Sequence, residues 1–266
     1  MRPLAVDLFC GLGGWTEGLL AEGYEVIGFD IEQHVYGEHR YPAQLVLQDV
    51  LTLHGRQFRD AALIVASPPC QEYSYMAMPW SRAKKIRAEY LDGTRDVKDI
   101  TSLFDACFRI QREACEAAGR HIPMVVENVR GAQEWVGRSR WNFGSFHLWG
   151  DVPALMPMTF KGVKVGGLDL NKRIPGQAFN THAERTMKNT GGSWFNVAHN
   201  TTSGKGRNPV HDGVKQHKSG RAWFADPDSI SGSTSSKSPA RKAASAMIAK
   251  IPLTLSRHIA ASWKPR

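Results

Sequence analysis

Six short apolar runs, each ending in a polar or glycine-bearing turn, constrain this chain more than any other feature. The first, Leu4-Ala5-Val6-Asp7-Leu8-Phe9, runs into Cys10-Gly11-Leu12-Gly13-Gly14. A helical pattern follows, with Trp15, Leu19 and Leu20 on one side, and stops at Gly23. A second run, residues 24–29, ends in Asp30-Ile31-Glu32. Strand, glycine turn, helix, strand and acid form the opening of a nucleotide-binding α/β fold. Glycine lets the backbone approach a ligand closely, and an acid after the second strand can hold ribose hydroxyls. The spacing is Gly-x-Gly-Gly rather than the dinucleotide pattern Gly-x-Gly-x-x-Gly, so a plain tight turn stands as the alternative at this point.

The later runs repeat the arrangement. Residues 44–48 end at Asp49, residues 62–66 at Ser67-Pro68-Pro69-Cys70-Gln71, residues 123–126 at Glu127-Asn128, and residues 146–149 at Gly150. A helix is expected over residues 100–118, with Leu103, Phe104, Cys107, Ile110 and Cys115 on one face. The expected fold is α/β: a mostly parallel sheet with ligands beyond the carboxyl ends of its strands. After Trp149 the pattern degrades into turn signals and short extended pieces, which reads as a small, irregular, partly β lobe. Residues 231–238, Ser-Gly-Ser-Thr-Ser-Ser-Lys-Ser, read as a flexible linker or mobile loop. Two helices follow, one opening at Pro239 and one over residues 253–263. The expected division is therefore 1–160, 161–240 and 241–266.

Composition narrows the class. The 266 residues are 42% hydrophobic, enough for a sizeable core, and no stretch approaches the roughly 18 apolar residues of a membrane helix. An acid as early as Asp7 argues against a signal peptide. Cys10, Cys70, Cys107 and Cys115 make no C-x-x-C pair, which disfavours a disulfide scaffold or a cysteine zinc site and fits a reducing cytoplasm. The formal charge of +9 is concentrated. Residues 161–242 hold 14 Lys and Arg against 5 Asp and Glu, whereas the rest of the chain holds 20 of each sign. Such an excess suits a polyanion binder or a solvated, loop-rich insertion.

Cys70 stands apart from the other cysteines. It follows two prolines at a strand end and is flanked by Gln71, Glu72 and Ser74, which makes it a candidate nucleophile at a cleft mouth. Cys107 and Cys115 lie on an apolar helix face and Cys10 beside the glycine turn, so all three read as small buried hydrophobes. Glu127, directly after a buried run, is expected to be desolvated and to hold a proton near neutral pH. Asn128 could fix its loop by hydrogen bonds.

Taken in order, Asp7-Leu8-Phe9-Cys10-Gly11-Leu12-Gly13-Gly14, Pro69-Cys70-Gln71 and Glu127-Asn128-Val129 resemble the C5-cytosine-specific DNA methyltransferases. Phe29-Asp30-Ile31-Glu32, Asp49-Val50 and Thr101-Ser102-Leu103-Phe104 are weaker matches, and together the pieces cover about residues 4–130. The resemblance implies a Rossmann-like fold that binds S-adenosylmethionine. Gly11, Leu12 and Gly13 would lie against its methionine part, Phe9 and Ile31 would flank the adenine, Asp30 would hold the ribose and Asp49 the adenine amine. Val50, Pro68 and Leu103 would line the same cleft. Cys70 would be the nucleophile and Glu127 the acid facing the base, with Asn128 beside it. Gln71, Ser74, Arg138 and Arg140 would meet nucleic acid. The implied partner is duplex DNA with a cytosine flipped out, gripped by the basic 161–240 region acting as target-recognition lobe. No metal and no membrane are implied, and a cytoplasmic monomer is expected.

The sequence also departs from the family. Its usual Gln-x-Arg-x-Arg segment is missing; Gln133 and Arg138-Ser139-Arg140 lie in that part of the chain at a different spacing. Ala249-Lys250-Ile251-Pro252 replaces the usual closing Gly-Asn pair. These differences suggest a compact, divergent, phage-like member, with or without a restriction partner. One tRNA-methylating branch also carries Ser-Pro-Pro-Cys-Gln, so RNA is the nearest alternative substrate. An amino methyltransferase or a catalytically inactive nucleic-acid binder are further alternatives.

Overall fold

The computed structural model describes residues 2–70, 73, 80–143, 146–156, 242, 246 and 249–265. The expected recognition lobe, the expected linker and the site candidates Gln71 and Ser74 lie outside the described residues. Nearly all described residues fall in one compact unit, Met1–Met156 with Lys250–Arg266; Lys242, Ala246 and Ala249 belong to a second, Pro157–Ala249.

The first unit is built from β1 (Leu4–Leu8), α1 (Gly14–Ala21), β2 (Glu25–Asp30), a hairpin of β3 (Val35–Tyr36) and β4 (His39–Arg40), and β5 (Gln44–Leu47). Two 3-10 turns, Val50–Thr52 and Gly55–Phe58, lead to β6 (Leu63–Ala66). Then come α2 (Trp80–Leu91), α3 (Val97–Ala118), β7 (Met124–Asn128), a 3-10 turn Arg130–Ala132, α4 (Gln133–Val136), β8 (Trp141–Phe143), β9 (Phe146–Gly150) and α5 (Leu253–Trp263).

Seven strands form one sheet in the order β5-β2-β1-β6-β7-β9-β8. The five strands from β5 to β7 are parallel, and β9 enters antiparallel between β7 and β8. The expected Rossmann-like, mostly parallel sheet is the one observed. Its winding reverses between β1 and β6, because β1 leads outward through β2 to β5 while β6 leads the other way to β7. That reversal opens a crevice at the carboxyl ends of the two strands.

Both faces of the central strands are covered, which explains why β6 and β7 read as unbroken apolar runs. On one face Ile64, Ala66, Met124, Val126 and Trp149 pack against Phe104, Cys107 and Ile110 of α3. On the other, Ala5, Leu63, Val65, Val125 and Leu148 meet Trp15 and Leu19 of α1 and Leu255 and Ile259 of α5. Asp96 caps α3 by accepting from the Lys98 N–H at 2.9 Å, and Gly119 ends it at φ 64°. The C-terminal segment is tied to α1 and the turn that follows it by the Tyr24 hydroxyl donating to the Ala260 carbonyl (2.9 Å) and by the Lys250–Glu17 and Arg257–Glu22 ion pairs. No helix among the described residues is long and apolar enough to cross a membrane.

The elements absent from the sequence expectation are β3, β4, β8, α2 and α4. Strands of two or three residues show no periodicity to read, and α2 carries a run of basic residues without a continuous apolar stripe.

The close approach of α1 to α5 depends on Gly18, where an added Cβ would overlap the backbone and side chain of Ser256. Ala is normally the better helix residue by about 1 kcal/mol. Here Gly18→Ala forces the helices apart, and the expected result is a net loss of roughly 1–3 kcal/mol, as for other overpacked cores. A lowered midpoint in thermal or urea unfolding checks this; an unchanged or raised midpoint contradicts the packing.

Candidate active site

Residues 9–13 leave β1, and residues 67–70 leave β6, on either side of the reversal. In the first turn Phe9 has φ 57°, a left-handed conformation that bulky residues rarely adopt and that tends to mark functional turns. Gly11 and Gly13 follow at φ 50° and 78°, and the Gly13 N–H donates to the Cys10 carbonyl at 2.7 Å. A Cβ on Gly13 would stand 2.5 Å from Pro42, whereas one on Gly11 would meet nothing within 4 Å. The Gly11 backbone thus faces open space. No side chain caps α1, which leaves its first N–H groups available to an anion.

Asp30 closes the same end of β2. The Gly11 N–H donates to its Oδ2 (2.9 Å), the Glu32 N–H donates to Oδ1 (3.3 Å), and His34 Nε2 lies 3.5 Å from Oδ1. Burial opposes ionisation, but the bonds from His34, Gly11 and Glu32 outweigh it and hold this carboxyl below the usual range. Asp30 is therefore a charged acceptor with lone pairs to spare. Beside it Ile31 is 73% exposed. Asp49 is exposed and caps its 3-10 turn by accepting from the Leu51 N–H (2.9 Å). Phe9 and Leu103 are half-buried, whereas Leu12, Val50 and Pro68 are buried. With its side chain in the core, Val50 could reach a ligand only through its backbone.

These residues fit a ligand carrying both a nucleoside and a carboxylate. The acceptor suits ribose hydroxyls, exposed Ile31 suits a purine face, and open Gly11 with the uncapped helix suits the carboxylate.

Beneath the turn lies a polar chain that sequence reasoning missed. Thr16 Oγ1 donates to Asp7 Oδ2 (2.6 Å) and sits 2.7 Å from the Tyr41 hydroxyl, which then donates to it. Asp7 Oδ1 has no hydrogen-bond partner among the described residues. Burial, aided by the Asp30 charge, pushes Asp7 up to about 8, so it is mostly protonated at neutral pH. Tyr41 carried no signal, since it stands alone between two short strands.

The second turn is built around Cys70. Its strand, β6, pairs with β7 in the register Ala66 to Val126, so residues 67–70 and 127–128 emerge side by side. The Asn128 side-chain amide donates to the Pro68 carbonyl (2.9 Å), and Asn128 Oδ1 accepts from the Val129 N–H (2.8 Å). Ser67 Oγ accepts from Trp15 Nε1 (3.0 Å), and its hydroxyl bonds Glu127. Glu127 is 8% exposed, and burial pushes its carboxyl up to about 8 against the opposing Ser67 bond. Burial and then the nearby Glu127 charge push the Cys70 thiol up to about 11. Ser67 was missed as a site residue; its position just before two prolines at a strand end was the available signal. Arg138 and Arg140 are exposed on the segment between α4 and β8. Among the described residues no group of His, Cys, Asp or Glu could hold a metal ion.

Comparison with known proteins bears on this arrangement. Residues 4–110 match the C-5 cytosine-specific DNA methylase family, bearing out the resemblance read from the motifs. No curated protein matches the chain. Among solved structures it is similar to a DNA modification methyltransferase encoded within an E. coli prophage, at 22% identity and TM-score 0.35, covering 51% of this chain and 35% of that one. It is also similar to the S. pombe Dnmt2 methyltransferase, at 18% identity and TM-score 0.32, with 52% and 37% covered. A third similar structure is the Entamoeba histolytica methyltransferase EhMeth, at 16% identity and TM-score 0.33, with 52% and 41% covered. The matched stretch thus spans between a third and about two fifths of the length of these proteins.

The electrostatics of the second turn make a direct test. Alkylation of Cys70 by iodoacetamide is expected to be slow at pH 7 and to accelerate about tenfold per pH unit toward about 11, because only the thiolate reacts. Glu127→Gln, which removes the adjacent charge, is expected to speed the reaction above pH 8. Peptide mapping of the labelled cysteine checks both; a rate already flat at pH 8 contradicts the high thiol pKa.

Proposed function

We propose that this chain, with residues 4–110 matching the C-5 cytosine-specific DNA methylase family, methylates carbon 5 of a cytosine flipped out of duplex DNA. One observation carries the reading: a half-buried thiol, Cys70, and a buried carboxyl, Glu127, sit on adjoining turns of β6 and β7, with the Glu127 charge felt at the thiol, beside a nucleoside-compatible turn. S-adenosylmethionine fits that turn and supplies the methyl group as a sulfonium electrophile.

Carbon 5 of cytosine is a weak nucleophile, and the two side chains address that. The Cys70 thiolate adds to carbon 6, forming a carbon–sulfur bond and shifting the ring electrons toward nitrogen 3 and carbon 5. Protonated Glu127 donates to nitrogen 3, which stabilises the charge that builds there. Carbon 5 then bonds the methyl group, whose bond to the sulfonium would break to leave a neutral thioether; loss of the carbon 5 proton to a water molecule returns an electron pair to the ring, breaks the carbon–sulfur bond and expels the Cys70 thiolate. Asn128 acts as a positioning residue, since its amide holds the Pro68 carbonyl of the cysteine turn. Asp30 holds the ribose, Ile31 covers the adenine and Asp49 receives its amine. The target atoms are hidden in a stacked duplex, so the base must leave the stack. The +9 of residues 161–242 supports a phosphate-gripping role for that region.

Expression of the chain followed by bisulfite sequencing of host DNA tests the activity and reports the target, with purified tRNA assayed in parallel. Methylated tRNA with unmodified DNA would assign the RNA reading instead. A duplex carrying 5-fluorocytosine is expected to trap a covalent adduct at Cys70, because fluorine cannot leave as the proton does. Cys70→Ala is expected to abolish adduct and turnover; an adduct on Cys10, Cys107 or Cys115 overturns the mechanism.

The rate also carries a pH signature. The productive state combines a thiolate with a protonated Glu127. Single-turnover methylation should therefore rise about tenfold per pH unit below about 8 and level off above it, where Glu127 loses its proton as fast as Cys70 ionises. Glu127→Gln is expected to slow methylation by about 10²-fold or more and to remove the levelling. A bell centred near pH 6 would contradict the assignment.

A further inference from the structure

Three cationic residues cluster where β7 ends and β8 begins. Arg130 opens the 3-10 turn directly after Asn128 and Val129, while Arg138 and Arg140 flank Ser139 on the segment that enters β8. All three are exposed. Two contacts bring the segments together. His147 of β9 lies opposite Asn128 in the sheet register, and its Nδ1 is 2.9 Å from Ser139 Oγ. The charge of Arg130 reaches the same imidazole, which burial first and Arg130 second hold below its usual range.

The chain of bonds under the cluster has one consistent direction. The Ser139 N–H donates to Gln133 Oε1 (3.1 Å), which identifies that atom as the amide oxygen. Ser139 Oγ lies 3.1 Å from the same oxygen and so donates to it as well. Its remaining role toward His147 is to accept, so Nδ1 carries the proton in the neutral ring. Gln133, Ser139 and His147 thus lock the backbone between Arg138 and Arg140 onto the sheet without adding charge. Trp149 Nε1 donates to the Gly137 carbonyl (2.9 Å) and pins the preceding residue.

Nothing among the described residues neutralises the three guanidiniums. Of the acids nearest in sequence, Glu127 is buried and bonded by Ser67, and Glu134 is engaged by Arg87, whose Nε donates to both carboxylate oxygens at 2.7 and 3.0 Å. Several other described arginines are paired with acids, as in Arg95–Glu89, Arg109–Glu113 and Arg257–Glu22, whereas among the described residues these three stand together unpaired on neighbouring segments. Exposed, unopposed guanidiniums on a rigid backbone form a surface for an extended polyanion.

We propose that Arg130, Arg138 and Arg140 form a phosphate-contact patch on the catalytic unit that grips the backbone of the polynucleotide substrate. The inference rests on the proposed activity toward nucleic acid, and it assigns these side chains to phosphates rather than to the edge of the flipped base. It adds Arg130, and it gives the missing Gln-x-Arg-x-Arg segment a substitute in which Gln133 serves the scaffold and the arginines serve the backbone.

Binding of a fluorescent duplex oligonucleotide to the full chain, measured over a series of salt concentrations, tests it without requiring turnover. Each single Arg→Ala change is expected to lower the slope of log affinity against log salt by about 1, and the triple variant by about 3. Arg→Lys at each position is expected to retain the slope, because a phosphate contact depends mainly on charge. Arg112→Ala, an exposed arginine in the second half of α3, serves as the charge-matched control and is expected to leave binding unchanged. An unaltered slope in the single variants, or a slope that falls equally in the control, overturns the patch. So does a change in target-sequence preference at constant slope, which would mark a base contact. The single variants suffice should the triple variant fail to fold. A wild-type chain that binds duplex but methylates neither DNA nor tRNA would overturn the proposed activity while the slopes still judge the patch. If it methylates and the slopes stay fixed, the activity stands and the patch falls. Absence of any duplex binding by the wild type overturns both.

Discussion

The site depends on one hydrogen bond, from the Asn128 side-chain amide to the Pro68 carbonyl. Parallel pairing of β6 with β7 brings two turns to the same edge of the sheet, but it leaves their conformations free. The Asn128 bond ties the cysteine-bearing turn to the strand that carries the acid. Ser67, held by Trp15 of α1, adds a second tie by bonding Glu127. Two prolines restrict the same turn, so little conformational freedom is left to it. Cys70 and Glu127 become neighbours through backbone geometry rather than through any attraction between them.

Their closeness has an electrostatic consequence. Asp7, Cys70 and Glu127 are each pushed toward the uncharged form, chiefly by burial. Asp30, by contrast, is held ionised by donors that offset its desolvation. The crevice therefore presents acids on the nucleoside side, Asp30 and the exposed Asp49 among them, and a nearly neutral wall on the other. A cationic ligand is favoured there, and it would in turn favour the thiolate. Stability carries the mark of this arrangement. Asp7 and Glu127 hold protons in the folded protein that the unfolded chain releases from its ordinary values of 3.8 and 4.5. Their contribution is whole below those values and is lost as pH rises through about 8. Such a cost is common where a site is shaped for chemistry rather than for stability.

The regular parts of the fold were legible because both signals involved are local. β6 and β7 read as apolar runs since both faces of the sheet are covered, and α3 shows its buried face at helical spacing. Expected ends agree with the observed ones to within a few residues; α3 begins at Val97, three residues before the expected start, because the Asp96 cap extends it. What lacked local pattern was missed. The β3–β4 hairpin has strands of two residues, and Tyr41 beyond it reaches Thr16 only through the folded chain. His147 looked like any residue of an apolar strand, and its partner Ser139 is recruited by β8 pairing with β9.

The sequence by itself determined the residue types at the strand ends: glycines where the backbone must take positive φ, an acid after β2, a cysteine behind two prolines and an acid after β7. Local sterics and burial dictate those features, and each is written in a few consecutive residues. Only the tertiary structure decided which of them meet. Strand order is a long-range property set by how helices cover both faces, and it placed β6 between β1 and β7. It also decided the charge states, because desolvation of Glu127 and Cys70 depends on everything packed around them and not on their neighbours in sequence.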